Sequence, residues 1–125
     1  MDIVSFETAN RLKEAGFPQP EPAVGQMWHD NEPYFIGYID GHRFSGIYTR
    51  SGYIIKKYDL FDIANDIFMP TATDILRIAD IQMWWNEAEM CFWAKAWPNV
   101  KVEVFTDQNA AEAAAAAWLE MHEKK

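Results

Sequence analysis

Three runs of aromatic and β-branched residues, joined by short turns, predict antiparallel β-structure in the centre of this chain. The runs are residues 34–39, 43–49 and 53–58. Asp40-Gly41 separates the first two runs, and this dipeptide favours the tight two-residue turn of a β-hairpin. Arg50-Ser51-Gly52 forms the turn before the third run. We therefore expect a β-meander, with a further short strand at residues 26–29 ahead of it.

Helix signals lie on both sides of the meander. Ser5 is a good N-cap for a first helix with the apolar stripe Phe6, Ala9 and Leu12. Gly16 suits the left-handed position after that helix, which lets the next residue, Phe17, fold back on Leu12. The helical spacing of five apolar residues predicts a second helix that Pro70 ends. These five are Leu60, Phe61, Ala64, Ile67 and Phe68.

Two more helices and a second hairpin follow. Thr71 and Asp74 have the spacing of a capping box, and the helix they start has an apolar stripe that extends to Met83. Residues 90–97 and 100–105 flank Pro98-Asn99 and predict a β-hairpin. Seven alanines among residues 110–117 predict a last helix that begins near Thr106. The predicted fold is α+β: an antiparallel β-meander plus a β-hairpin packed with about four helices, in one domain spanning residues 1–125.

Charge and composition exclude several classes of protein. The net charge of −8 and a pI near 4.7 disfavour nucleic acid and anionic membrane surfaces as partners. The longest apolar run, residues 113–119, is far too short to span a membrane. Met1-Asp2 lacks the basic start of a signal peptide, and Cys91 is the single cysteine. We therefore expect a cytoplasmic protein, and the sequence predicts no metal and no cofactor.

The ends of the chain resemble a group of small uncharacterised bacterial and prophage-type proteins. The resemblance depends on the motif at residues 4–9 (VSFETA) with residues 12–17 (LKEAGF). Pro70-Thr71 ahead of a helix and a C-terminal helix rich in Ala and Glu also match. The resemblance covers about a third of the chain and implies a small accessory protein of the kind that mobile elements carry. It implies no activity and no functional residues.

One polar cluster has the residue types of a divalent metal site. Its members are His29, Asp30, Glu32 and His42. Imidazole and carboxylate groups are common metal ligands, and neighbouring strands could bring the second histidine to the first. The spacing fits no established metal motif, however, and residues 29–33 also have the composition of a polar turn. The polar turn is the favoured interpretation.

Two further sets of residues have a catalytic interpretation beside a structural one. Asp59, Asp62 and Asp66 could place two carboxylates on one helix face for acid–base chemistry, but a solvated face explains their spacing better. Cys91 could be a nucleophile with His29 or His42 as its base. Its neighbours are apolar, and a buried cysteine in such a strand is a small hydrophobic residue.

The best candidate for an interaction surface is an aromatic cluster near the second hairpin. The cluster consists of Trp84, Trp85, Phe92, Trp93 and Trp97. On a strand, Trp93 and Trp97 would share a face with Cys91 and Lys95. A domain of this size has limited core volume, so one tryptophan face could remain exposed as a contact surface. The other interpretation, in which all five aromatic residues belong to the core, is the favoured one.

These observations leave two functional hypotheses. The first is a non-enzymatic interaction module that binds a protein partner or a second copy of itself. One variant of it is an acidic decoy that occupies a basic groove, although the acids are spread along the chain. The second is a small metal-dependent enzyme or ligand-binding protein that uses the polar cluster around His29. The first hypothesis is favoured because no catalytic constellation is evident.

Overall fold

The computed structural model describes residues 3–59, 65–96 and 104–122. The chain divides into two compact units. The first, here called the meander unit, is Pro18–Met69, and the second, the terminal unit, combines Met1–Phe17 with Pro70–Lys125. That the two units form one domain stays a prediction.

The meander unit is a five-stranded antiparallel sheet, and the turn signals predict four of its strands. Its strands are β1 (Met27–His29), β2 (Pro33–Ile39), β3 (His42–Thr49), β4 (Gly52–Tyr58) and β5 (Ile67–Phe68). Their order in the sheet is β4-β3-β2-β1-β5. Asp40 and Gly41 have φ angles of 50° and 82°, which is the left-handed conformation that a two-residue hairpin turn requires. The predicted meander is confirmed.

One face of this sheet is buried over part of its area. Its buried side chains are Trp28, Tyr34, Ile36, Ser45 and Phe68. The rings of Trp28 and Phe68 pack with centroids 5.4 Å apart. Residues of this face alternate along each strand with residues of the opposite face, because successive side chains of a strand point in opposite directions.

The predicted helix before Pro70 is wrong at its C-terminal end. Ile67 and Phe68 form β5 and pair with His29 and Trp28. The backbone N–H of Phe68 donates to Gln19 Oε1 at 3.0 Å, so a distant side chain satisfies it. A short apolar run fits both a helix and a strand, and here the pairing with β1 decides. The rest of that prediction, residues 60–64, lies outside the described residues.

The terminal unit combines helices with a second antiparallel sheet. Its elements are α1 (Phe6–Glu14), α2 (Ala72–Leu76), β6 (Ile81–Asn86), β7 (Cys91–Ala96), β8 (Val104–Asp107) and α3 (Ala110–His122). The strand order is β6-β7-β8. The antiparallel pairing of β7 with β8 agrees with the predicted second hairpin, and residues 97–103 lie outside the described part. The α+β class is confirmed.

The ends of α1 follow the sequence signals closely. Ser5 Oγ accepts a hydrogen bond from the Thr8 backbone N–H at 3.2 Å, which confirms the N-cap. Gly16 has φ 98°, and the N–H of Phe17 donates to the Leu12 carbonyl at 2.9 Å. This is the Schellman arrangement expected from the glycine. Phe6 departs from the predicted stripe because its side chain is exposed.

The helix predicted to extend to Met83 is much shorter. Its capping box is present, because the side chains of Thr71 and Asp74 each accept a hydrogen bond from the other's backbone N–H. The helix ends at Leu76, and Met83 belongs to β6, where it pairs with Ala94 of β7. Cross-strand pairing therefore overrides the helical period. The described residues contain three helices rather than about four.

The last helix, α3, begins at Ala110 rather than near Thr106. Thr106 is part of β8, and Asn109 caps the helix because its Oδ1 accepts from the N–H of Ala111 at 2.8 Å. Ala113 and Ala117 of this helix pack with Ala94 of β7 in a small buried cluster. Small side chains let the helix approach the sheet closely, as the alanine run predicts.

Candidate functional site

The sheet of the terminal unit has two different faces. Ile81, Met83 and Phe92 point towards α3, where they pack against the alanine cluster. The alternate residues of β6 and β7 therefore point away from α3. We call this second face the tryptophan face. It consists of Gln82, Trp84, Asn86, Cys91, Trp93 and Lys95.

Two tryptophans form the centre of the tryptophan face. Trp84 and Trp93 are directly opposite in the β6–β7 register, and their ring centroids lie 5.8 Å apart at an interplanar angle of 48°. Trp84 is 40% exposed. The Trp93 Nε1–H donates to Glu89 Oε1 at 3.0 Å, so its orientation is fixed by a hydrogen bond as well as by the neighbouring ring. The result is a partly exposed aromatic surface in which the two rings lie against each other.

Trp85 belongs to the opposite face of the sheet. It pairs with Phe92, with centroids 4.9 Å apart and an edge-to-face angle of 67°. It is nevertheless 45% exposed, because it lies near the turn end of the β6–β7 hairpin. The predicted cluster therefore divides between two faces, and Trp97 lies outside the described residues. Trp84 and Trp85 are not core residues.

Cys91 lies on the tryptophan face and is half-buried. Its Sγ is 4.0 Å from Glu89 Oε1, the same oxygen that accepts from Trp93. A thiol beside a carboxylate lacks the electropositive surroundings that activate a nucleophilic cysteine. The geometry therefore gives no support to catalysis at this residue.

The structure does not bring the predicted polar cluster together. His29 pairs with Pro33 at the start of β2, whereas His42 pairs with Ile39 at its end. At about 3.3 Å per residue, these positions are roughly 20 Å apart. Glu32 instead accepts a hydrogen bond from Lys56 Nζ at 3.0 Å, on an exposed surface. Across residues 3–59, 65–96 and 104–122, no three His, Cys, Asp or Glu side chains form a group suited to a metal ion.

The three aspartates predicted for one helix face have different surroundings. Asp66 is buried, and its Oδ2 accepts from the Tyr34 hydroxyl at 2.7 Å. Asp59 is exposed and pairs with His42. A shared solvated face is therefore wrong for Asp66, which a buried hydrogen bond holds in the meander unit. Asp62 lies outside the described residues.

The meander unit has an aromatic surface that the sequence signals above do not predict. The second face of its sheet carries Phe35, Phe44, Tyr48, Tyr53 and Tyr58, here called the aromatic layer. Tyr48 stacks on Phe35 with centroids 4.3 Å apart, and Tyr53 stacks on Phe44 at 5.5 Å. The three tyrosines are exposed. The signal for this layer is a repeated Phe-Xaa-Gly triplet, at residues 35–37 and 44–46, on neighbouring strands.

A shallow, open pocket of about 340 Å³ lies at one end of the aromatic layer, and its lining residues are all exposed. Its lining residues are Ile39, Asp40, His42, Tyr58 and Asp59. His42 Nδ1–H donates to Asp59 Oδ2 at 2.8 Å, and Asp59 Oδ1 accepts from the Arg43 backbone N–H at 3.1 Å. We call these five residues the end pocket. Ile39 provides an apolar wall, His42 and Tyr58 provide aromatic rings, and the two aspartates provide carboxylates.

No protein-family model, curated protein or solved structure matches this chain. Function must consequently be argued from the surfaces themselves, since a fold alone does not define an activity. In the described part of the chain, no helix has the length and apolarity needed to cross a membrane. The resemblance to small bacterial and prophage-type proteins stays a prediction.

Proposed function

We propose that this protein is a non-enzymatic interaction module that binds another protein through the tryptophan face. The observation that carries the proposal is the Trp84–Trp93 pair, which is partly exposed on the sheet face that points away from α3. Tryptophan is strongly enriched among the residues that dominate binding energy at protein interfaces. Gln82 and Lys95 supply the polar rim that such an aromatic centre usually has.

The rigidity of this pair favours binding. Association costs free energy whenever side chains become ordered, and rings that are already fixed reduce that cost. Trp93 is held by the hydrogen bond to Glu89 and by the ring of Trp84, before any partner arrives. The surface is therefore organised in the free protein.

The partner that fits this surface is a host protein or a second copy of the chain. A charge of −8 argues against nucleic acid, so the proposed setting is protein–protein contact. A small acidic accessory protein of a mobile element, acting in the cytoplasm, is consistent with this proposal. The proposed function does not include catalysis. The alternative hypothesis requires the polar cluster around His29, and the residues of that cluster do not lie together.

The test compares three single variants that differ in the face they alter. Trp84→Ser and Trp93→Ser remove rings from the tryptophan face. Trp85→Ser is the matched control, because it removes an adjacent ring of similar exposure from the opposite face. Sedimentation velocity over a concentration series measures self-association, and affinity capture from host lysate with mass spectrometry measures binding of other proteins.

We expect Trp84→Ser and Trp93→Ser to weaken the same association by at least about tenfold, and Trp85→Ser to leave it intact. Circular dichroism must show that each variant remains folded. Equal loss of association in all three variants would indicate general destabilisation instead of a binding surface. Unchanged association in the two tryptophan-face variants would contradict the proposal.

A further inference from the structure

We infer that the end pocket of the meander unit is a binding site for a guanidinium group, presented by an arginine side chain of a polypeptide. This inference does not depend on the tryptophan face, which belongs to the other compact unit. The pocket volume of about 340 Å³ is sufficient for one such side chain. Its walls supply the three features that a guanidinium prefers: carboxylates, aromatic rings and an apolar surface for its stem.

The first carboxylate, that of Asp59, is held in place from both sides. Its Oδ1 accepts from the Arg43 N–H at 3.1 Å, and its Oδ2 accepts from His42 Nδ1–H at 2.8 Å. The backbone N–H of Asp59 also donates to the Arg43 carbonyl, at 2.9 Å, and the residue has φ 57°. A carboxylate oxygen has two lone pairs, so each oxygen can still accept from a ligand. Asp59 is therefore a preorganised acceptor.

The second carboxylate, that of Asp40, is available for a ligand. Asp40 occupies the β2–β3 turn with φ 50°, and its side chain has no hydrogen bond or ion pair within the described residues. It lines the same pocket as Asp59. Two carboxylates beside one cavity favour a cationic ligand, and charge-assisted hydrogen bonds from a guanidinium are short and strong.

The aromatic wall favours guanidinium over a primary ammonium. Tyr58 and His42 face the pocket with ring centroids 6.4 Å apart at 78°. A guanidinium is planar and weakly hydrated, so it stacks on aromatic rings, whereas an ammonium group is compact and strongly hydrated. Ile39 offers apolar contact to the methylene stem. A metal ion fits less well, because the described residues offer no group of three ligands.

The surroundings of the pocket favour a polypeptide as the source of the guanidinium. The ring of Tyr58, which lines the pocket, also belongs to the aromatic layer and lies 6.4 Å from the buried ring of Phe44. Tyr53, which stacks on Phe44, is also exposed beside it. Residues next to the arginine in a peptide would contact the exposed rings of Tyr53 and Tyr58, whereas a free small cation would occupy the pocket alone.

Nuclear magnetic resonance titration of the full-length protein tests the inference. The probe is N-acetyl-arginine amide, and its neutral control is N-acetyl-citrulline amide, which has nearly the same shape. The ring signals of His42 and Tyr58 report occupancy of the pocket. We expect saturable shifts with the arginine probe and at least about tenfold weaker binding of the citrulline probe.

Two variants locate the binding to these carboxylates. Asp40→Asn and Asp59→Asn each remove one charge, and asparagine tolerates the left-handed backbone at both positions. Each should weaken the arginine probe about fivefold. Glu21→Gln, an exposed acid elsewhere in the meander unit, is the charge-matched control and should change nothing. The Asp40 side chain makes no hydrogen bond or ion pair within the described residues, whereas Asp59 accepts two hydrogen bonds. Asp40→Asn should therefore fold even if Asp59→Asn does not.

Three outcomes would overturn the inference. Equal binding of the arginine and citrulline probes would show that charge is not recognised. Absence of saturable shifts at His42 and Tyr58 would show that the pocket does not bind this group. Binding of agmatine without binding of N-acetyl-arginine amide would identify a free small cation as the ligand, and the polypeptide source would be wrong.

Discussion

A Cβ atom added to Gly46 would lie 2.8 Å from Cζ of Phe35, across the β2–β3 pair. The glycine therefore provides the space in which the phenylalanine ring lies. Gly37 has the same relation to Phe44, since each phenylalanine of one strand is opposite the glycine of the other. These two contacts bring both rings close to the sheet, and Tyr48 and Tyr53 stack on them.

Gly46→Ala should consequently destabilise the meander unit. The added methyl group must displace the Phe35 ring, and overpacking of this kind costs about 1–3 kcal/mol. Urea denaturation measures the loss, with Thr49→Ala at an exposed position of β3 as the control. A second measurement in the Phe35→Leu background should show a smaller cost, because the ring is no longer there. An equal cost in both backgrounds would mean that the ring contact is not the cause.

Tyr34→Phe should destabilise the protein through the buried hydrogen bond to Asp66. The Tyr34 hydroxyl donates to Asp66 Oδ2 at 2.7 Å, and both residues are buried. Removing one partner of a buried hydrogen bond to a carboxyl group costs about 1–3 kcal/mol. Tyr38→Phe removes a hydroxyl from an exposed tyrosine of the same strand and should change stability little. Thermal denaturation distinguishes the two, and equal stabilities would contradict a structural role for this bond.

Sequence signals predict a turn or a helix end well where its conformation depends on neighbouring residues alone. The Asp40-Gly41 turn, the Ser5 cap and the Gly16 terminus depend on residues within one turn of each other. The α+β class and the meander follow from such signals. The spacing around Met83 and Phe68 predicts helices at both positions, because a short apolar pattern fits two periods. Their strands depend on pairing with β7 and β1, which local spacing does not contain.

The candidate sites were less predictable for the same reason. His42 and Asp59 are 17 residues apart, and they meet only because of the β3–β4 register. That register includes a shift at Ser45/Gly46, which sequence alone does not place. The tryptophan pair was visible as a cluster, but its division between two faces required the strand register. The aromatic layer was encoded by the repeated Phe-Xaa-Gly pattern and was missed.

Ala113→Leu should destabilise the terminal unit by about 1–3 kcal/mol, because a larger side chain cannot fit between α3 and the sheet. Ala113 is 1% exposed and packs with Ala94 and Ala117. Ala116→Leu is the matched control on the same helix, at a half-buried position. Chemical denaturation should show a clear loss for the first variant and little for the second. A similar effect at both positions would indicate that helix packing does not depend on small residues at this contact.

The Lys56–Glu32 ion pair predicts a pH dependence. The hydrogen bond to Glu32, and then the attraction of its charge, raise the pKa of Lys56 above the ordinary value of 10.5. A raised pKa in the folded state stabilises the fold below pH 10.5 and ceases to do so as the pH rises through the folded-state value. Glu32→Gln should therefore lower the Lys56 titration midpoint measured by nuclear magnetic resonance, and Asp30→Asn should lower it less. A midpoint unchanged in Glu32→Gln would contradict the pair.

Glu112 should contribute to stability by binding the N-terminus of α1. Its Oε2 accepts from the Ser5 backbone N–H at 2.6 Å, and its Oε1 accepts from Thr8 Oγ1 at 2.7 Å. A carboxylate at a helix N-terminus is also favoured by the helix dipole. Glu112→Ala should lower the free energy of unfolding by about 1.5–3 kcal/mol, because a hydrogen bond to a charged group contributes about this much to stability. Glu112→Gln, which keeps an acceptor but no charge, should cost less.

A double-mutant cycle with Thr8→Val separates this contact from a general effect on α3. If Thr8 and Glu112 act through their hydrogen bond, the losses of unfolding free energy in Thr8→Val and Glu112→Ala should not be additive. The coupling free energy should be about 0.5–3 kcal/mol. Urea denaturation of the four proteins provides the cycle. Strict additivity would show that the hydrogen bond between Thr8 and Glu112 contributes nothing to stability, and the loss in Glu112→Ala would then have to come from the bond to the Ser5 backbone N–H or from α3 itself.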